Sequence, residues 1–341
     1  MPPTPVRRPL TITTWLVLST VCLALSPLLL VIASIAAALI RRPQPLLLAR
    51  LLIAYFAREL GVLLACGALW LLSGFGAAIR SPRFRELHYR LLHWFVHGLS
   101  ERAKNVLEIE VTAQPTREAL GALQADRPLL FFSRHAGPGD TVLLTDLLLT
   151  SYRRTPSVVF KETLVIDPSV DLIGHRLPHG ALDTSDPIEC EARIQTLSAN
   201  LGPRGVLMLF PEGANFTADR RRAALRTLSR KGLRREAAAG ESMPHVLPPH
   251  PAGALAALRG CPDCDVIFSA HTGLGLAAFP GELWRQAPIG ETLTTRMWLS
   301  RAAERPTDAD QQVQWLYDWW KRIDEWIDSQ GEEAAGAVRS A

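Results

Sequence analysis

Leu129-Leu130-Phe131-Phe132-Ser133-Arg134-His135-Ala136-Gly137-Pro138-Gly139-Asp140-Thr141 runs from four apolar residues, through a turn of glycine and proline, to a carboxylate. An apolar run this short, opened by Pro128 and closed by a turn, suits a buried strand. Asp140-Thr141 ahead of Val142-Leu143-Leu144 suits a helix N-terminus. A strand-to-helix turn therefore carries His135 and Asp140, with four residues between them. A neutral imidazole can take a proton from an attacking hydroxyl, and a carboxylate beside it sets the tautomer and stabilises the imidazolium that forms. The pair is a base with its orienting group, and it needs no protein nucleophile.

The chain has nine histidines, so one such spacing reads equally as a loop histidine beside a capping aspartate. A second motif separates the two readings. Phe210-Pro211-Glu212-Gly213 also closes an apolar run, Gly205-Val206-Leu207-Met208-Leu209. Glycine there lets backbone N–H groups approach an anion closely, and a carboxylate can hold an acceptor hydroxyl or brace neighbouring donors. Together, His-x4-Asp and Phe-Pro-Glu-Gly resemble the glycerolipid acyltransferase family, which acylates lysophosphatidic acid and related lysophospholipids.

The resemblance implies an α/β domain with a mixed sheet flanked by helices, carried on an N-terminal helical membrane anchor. It implies His135 and Asp140 as catalytic residues, and Lys161, Phe210, Pro211, Glu212, Gly213 and Asn215 as substrate-binding ones. It implies no metal and no cofactor, with acyl-CoA or acyl-carrier protein as co-substrate, a lysophospholipid acceptor and membrane lipid as partners. Lys161-Glu162-Thr163-Leu164, after the strand-like Ser157-Val158-Val159-Phe160, matches a Lys-x-x-Leu element of the family, although Lys161 also reads as a surface lysine. Phe216-Thr217 matches the eukaryotic-like branch, and Met243 to His250 resembles a block near the acyl-donor site, with His250 in place of the usual Arg.

Two departures bear on the acceptor. Thr184 in Leu182-Asp183-Thr184, and Asn215 after Ala214, stand where the family carries arginines that grip phosphate. The basic run Arg220, Arg221, Arg222, Arg226, Arg230, Lys231, Arg234 and Arg235 reads as a solvated helix face or as a headgroup surface that replaces them in part. A glycolipid or other non-phosphate acceptor, or a lipid-binding relative without catalysis, stays open beside the lysophospholipid. No Gly-x-Ser-x-Gly elbow supports a serine hydrolase.

The 341 residues, 48% hydrophobic and 21% charged, fit one sizeable domain plus a membrane segment. A net charge of +4 suits a surface resting on anionic lipid and is no nucleic-acid signature. Residues 10–40, bracketed by Arg7-Arg8 and Arg41-Arg42, carry no charge, nor do residues 60–79. Both runs reach the roughly 20 residues of a membrane helix. Two spans are expected, returning the chain to the cytoplasmic side of the cell membrane, where acyl donors are found. The expected organisation is an anchor with two apolar helices over 1–82, a connecting amphipathic helix over 83–106, an acyltransferase domain over 107–330 and a loose tail over 331–341.

Four smaller features complete the reading. Five scattered cysteines form no disulfide framework, so reduced thiols are expected, and Cys261-Pro262-Asp263-Cys264 reads as a turn. His93 and His97 are spaced to share a metal ion, but no carboxylate stands at the matching position, so they read as a partly exposed helix face. Residues 107–111 alternate like a strand. The aromatics of a helix over 315–326 are expected to pack on the domain.

Overall fold

The computed structural model describes residues 3–272 and 289–340. Its centre is a sheet of seven strands, β1 (Glu110–Pro115), β2 (Leu129–Ser133), β3 (Thr155–Lys161), β4 (Gly180–Leu182), β5 (Gly205–Leu209), β6 (Asp265–His271) and β7 (Thr292–Ser300). They lie in the order β1-β7-β6-β2-β5-β3-β4. The run β6-β2-β5-β3-β4 is parallel, β7 is antiparallel to β6, and β1 is parallel to β7. The sheet is mixed and flanked by helices, as the resemblance implied.

Burial follows from this order. Strands β2 and β5 have neighbours on both sides and helices over both faces, so every residue in each is buried and neither alternates in polarity. Their side chains still alternate between faces. Phe132, Leu130 and Leu207 join the layer beneath helices α8 (Pro187–Ala199), α11 (Pro251–Gly260) and α12 (Ala309–Ser340). Phe131, Leu129, Val206 and Met208 join the layer beneath α5 (Arg117–Gln124) and α6 (Pro138–Thr150). Phe268 of β6 stacks on Trp319 at 4.4 Å and meets Trp315 and Trp320 edge-on, so the aromatics of α12 pack on the domain.

The N-terminal region differs from the two expected helices. It holds three, α1 (Thr4–Ala24), α2 (Ser26–Ile40) and α3 (Gln44–Leu72), ahead of the amphipathic α4 (Pro82–Leu107). The charge-free run over 10–40 is bent by 65° between α1 and α2. Pro27 explains the break, because it has no N–H to offer the Leu23 carbonyl and its ring crowds that oxygen. Helix α3 begins well before the second apolar run, through Arg50, Arg58 and Glu59. Arg58 is accommodated by docking: its guanidinium lies 4.3 Å over the Trp94 ring and donates to the Trp94 carbonyl at 2.9 Å. Helix α3 is long and apolar enough to cross a membrane, and the bent α1/α2 pair counts as one further span at most.

The N-terminal helices are also latched to the sheet domain. Arg7 and Arg8 donate to Asp171 at 3.1 and 2.9 Å, on helix α7 (Pro168–Arg176), and Val62, Leu63 and Cys66 of α3 pack with Leu92, Val96, Leu172 and Ile173. Three further readings change. Helix α4 continues to Leu107 and the first strand starts at Glu110, residues beyond 331 continue α12 to Ser340, and Cys261 and Cys264 are joined as a disulfide, with Cα atoms 5.3 Å apart.

Candidate active site

The register of the central strands sets the site. Phe132 pairs with Leu209 and Ser133 with Ser269, so the carboxyl ends of β2, β5 and β6 are level. Residues at or just past these ends converge at the edge where open α/β sheets hold ligands. They are His135, Phe210 and His271.

Helix α6 starts as the sequence predicts. Asp140 lies in its first turn, where a carboxylate reaches back to orphan N–H groups. Its Oδ2 accepts from Ala136 N–H at 2.8 Å and Gly137 N–H at 3.1 Å. His135 Nδ1 lies 3.0 and 3.1 Å from the two carboxylate oxygens. An ionised carboxylate only accepts, so Nδ1 carries a proton, and in the neutral form of the ring this leaves the lone pair on Nε2. Asp140 is 0% exposed. Burial alone would raise its pKa, but the hydrogen bond from His135, the His271 and His135 rings and Gly137 N–H together hold it below the ordinary carboxylate value. Asp140 therefore stays ionised beside the His135 ring.

The Phe-Pro-Glu-Gly turn closes over this dyad. Phe210 stacks on the His135 ring, with centroids 4.5 Å apart. Glu212 Oε1 accepts from the backbone N–H of His135 at 3.1 Å, and Oε2 accepts from Leu247 N–H at 3.2 Å. The carboxylate thus ties both motifs to the 243–250 block, which also donates from His250 N–H to the Pro211 carbonyl at 2.7 Å. Gly213 has φ +68, which an L side chain adopts only under strain, and a Cβ there would meet the His250 ring at 3.3 Å. Phe216 N–H donates to the His135 carbonyl at 2.7 Å, so the loop wraps the turn that carries His135.

Glu212 is shifted the opposite way from Asp140. Burial pushes its carboxyl up to about 8, against the Arg134 guanidinium and the N–H groups of Leu247 and His135. Near neutral pH it is mostly the neutral acid, and its role is to hold backbone in place.

Asn215 is half-buried, and its side-chain oxygen accepts from Arg220 at 2.7 Å. Arg220 sits in helix α9 (Ala218–Arg230), which Thr217 caps by accepting from Arg220 N–H. A guanidinium is therefore held beside Asn215, delivered from five residues downstream. Lys161 ends β3, two strands from β2, and its side chain is exposed. It shares the sheet edge with the dyad and is not part of the hydrogen-bonded cluster around it. Thr184 is exposed in the turn after β4.

Two groups at the centre escaped the sequence reading. His271 is 0% exposed, with Nε2 3.3 Å from the Arg134 carbonyl and 3.6 Å from Asp140 Oδ2. Burial pushes it down to about 4, so it is a neutral ring beside the carboxylate. Arg134 is buried and donates to the carbonyls of His271 and His245, at 2.7 and 3.2 Å. Its charge lies near Asp140, Glu212 and Asp324. A signal for His271 was available, since it ends an apolar run just as His135 follows one. Arg134 carried none, because an arginine beside a turn ordinarily reads as exposed.

No family model matches the chain, and no curated protein matches it. Among solved structures, the chain is similar to the crystal structure of the 1-acyl-sn-glycerophosphate (LPA) acyltransferase PlsC from Thermotoga maritima. The TM-score is 0.46 and the identity 13%, over 79% of this chain and 98% of that one. A likeness of that order leaves the chemistry to be argued from the residues.

Proposed function

We propose that this protein is a membrane-anchored acyltransferase that moves a fatty acyl group from acyl-CoA or acyl-carrier protein to the hydroxyl of lysophosphatidic acid or a related lysophospholipid. The observation that carries this reading is the dyad itself. His135 has its Nδ1 proton held by an ionised Asp140, and among the described residues no serine, threonine or cysteine side chain is hydrogen-bonded to its ring. Such a base activates a hydroxyl that arrives with the substrate.

The acceptor oxygen attacks the thioester carbonyl while its proton passes to His135 Nε2. The tetrahedral oxyanion then collapses, the C–S bond breaks, and the thiol leaves with the proton returned by the imidazolium. Asp140 stabilises that imidazolium, and Phe210 holds the ring in plane. The backbone N–H groups of Ala136 and Gly137 are occupied by Asp140, so neither is free to stabilise the oxyanion. Asn215 and Arg220 form the part of the site suited to an acceptor phosphate, since a guanidinium pairs with phosphate by two parallel hydrogen bonds. The apolar exteriors of α1, α2 and α3, with Leu28, Ile35, Leu39, Leu64 and Leu72 all more than half exposed, suit contact with lipid.

The test is acyl transfer by the purified full-length protein in micelles, from labelled acyl-CoA, to lysophosphatidic acid, diester lysophospholipids and a glycolipid. Transfer to a lysophospholipid that is abolished in a folded His135→Ala variant is the expected result. Transfer that survives His135→Ala, or that occurs only to the glycolipid, would overturn the mechanism or the acceptor respectively.

A further inference from the structure

A second cluster of ligating side chains lies apart from the dyad, between α4 and α6. His93 and His97 are one turn apart on α4, with ring centroids separated by 5.4 Å. The carboxylate that the sequence did not place beside them comes from the other helix. Asp146 of α6 is buried, and its Oδ1 lies 3.0 Å from His97 Nδ1. Thr150, one turn further along α6, donates to the same oxygen at 2.8 Å and lies 2.9 Å from His93 Nε2.

We propose that His93, His97 and Asp146 bind a divalent first-row transition cation of the zinc type, clipping α4 to α6. The three ligand atoms all lie within 4.8 Å of one another. In a tetrahedral site with bonds of ~2.0–2.1 Å the ligand atoms stand about 3.3 Å apart, so small side-chain rotations close the group. Two imidazoles and one carboxylate form a donor set that takes Zn²⁺, Co²⁺ or Ni²⁺ over Mg²⁺ and Ca²⁺, which prefer all-oxygen shells. The geometry leaves room for a fourth ligand: the His97 side chain is 42% exposed, so water can reach the ion from outside.

Without a cation, the same atoms form a hydrogen-bonded chain from His97 through Asp146 and Thr150 to His93, and that chain is the competing account. The two accounts differ in what a cation does. As a clip, the ion joins the helix that follows the anchor to the helix whose first turn carries Asp140. The site takes no part in the proton transfers described above, and its test is independent of acyl transfer.

The experiment is a titration of metal-stripped full-length protein in micelles with Co²⁺, read by its visible d–d absorption. Expected are bands that saturate at one equivalent, are displaced by Zn²⁺, and persist in excess Mg²⁺ and Ca²⁺. The double variant His93→Gln/His97→Gln should weaken Co²⁺ binding at least tenfold, and Zn²⁺ should raise the melting temperature of wild type but not of that variant. Asp146→Asn should weaken binding similarly. Because Asp146 is buried and its loss can unfold the protein, the half-exposed histidine pair carries the decision. Absence of saturable bands, or bands of equal affinity in the folded double variant, would overturn the proposal in favour of the hydrogen-bonded chain.

Discussion

Replacing Asp140 by Asn separates the orientation of the dyad from its shape. The amide has the same outline but one acceptor oxygen and one NH₂ group. Ala136 N–H and Gly137 N–H both point at Oδ2, so the amide oxygen must take that position. The NH₂ group then faces His135 Nδ1, which has to become an acceptor, and the ring proton moves to Nε2. A histidine with Nε2 protonated cannot accept from the substrate hydroxyl. General-base catalysis contributes about 10²–10⁴-fold, so kcat/KM should fall by that factor, or about 3–5 kcal/mol of transition-state stabilisation. Exchanging a charged acceptor for a neutral one costs a further ~1–3 kcal/mol of folding stability.

The two effects are measured separately. Acyl transfer from labelled acyl-CoA gives kcat and KM, and thermal unfolding in the same micelles gives stability. Asp140 is depressed in the folded state, so its contribution to stability is present above the ordinary carboxylate pKa and lost as pH falls through the depressed one. The Asn variant should lack that part of the acid-side loss. A folded Asp140→Asn protein that keeps more than about a tenth of wild-type kcat/KM would refute the tautomer argument, given the factor expected of a general base.

Three further predictions address other parts of the molecule. Glu212 is raised to about 8, so the native state holds a proton that the unfolded chain releases near its ordinary value, and stability should decline as pH rises toward 8; Glu212→Gln should flatten this slope in melts at pH 5 to 9, and an unchanged slope contradicts the neutral acid. Asp171→Ala strands Arg7, whose side chain is 8% exposed, and should destabilise by about 3–5 kcal/mol in denaturant titrations, whereas a loss below about 1 kcal/mol would make the latch ornamental. Arg220→Ala should lower kcat/KM for lysophosphatidic acid about ten- to hundredfold relative to a diester lysolipid, and an unchanged ratio would remove Arg220 from the phosphate site.

What the sequence made legible was local. β2, β5 and the start of α6 could be read because short apolar runs end in residues with strong turn preferences, and the structure seats His135, Asp140 and Glu212 where those runs stop. Elements whose character depends on distant partners were not readable. Helix α3 carries Arg50, Arg58 and Glu59 through what composition marks as a boundary, since Arg58 docks on Trp94 of α4 and Glu59 is buried. β4 has three residues and exists because it pairs with β3, and β7 is placed by antiparallel pairing with β6. Asn215 shows the same limit at the site, because the Arg220 contact depends on how the 213–217 loop turns into α9.

The electrostatics of the site follow from burying Asp140 and Glu212 near the buried Arg134. Arg134 lies near both Asp140 and Glu212, and the pocket pushes their pKa values apart, Asp140 below the ordinary value and Glu212 above it. Asp140 can ionise because it gathers the His135 N–H and two backbone N–H groups, whereas Glu212, also buried, has only two longer backbone contacts to offset desolvation. Opposed shifts of this kind assign separate roles to paired carboxyl groups. In the proposed mechanism, an ionised Asp140 stabilises the imidazolium formed when the acceptor hydroxyl gives up its proton. A second anion at Glu212 would oppose the negative charge that develops on the thioester oxygen, and the neutral acid avoids this while still bracing His135 and Leu247. Phe210 excludes water from one face of His135, which strengthens each of these interactions by lowering the local dielectric. In that mechanism the Phe-Pro-Glu-Gly turn acts through the dyad, by fixing its backbone and its surroundings.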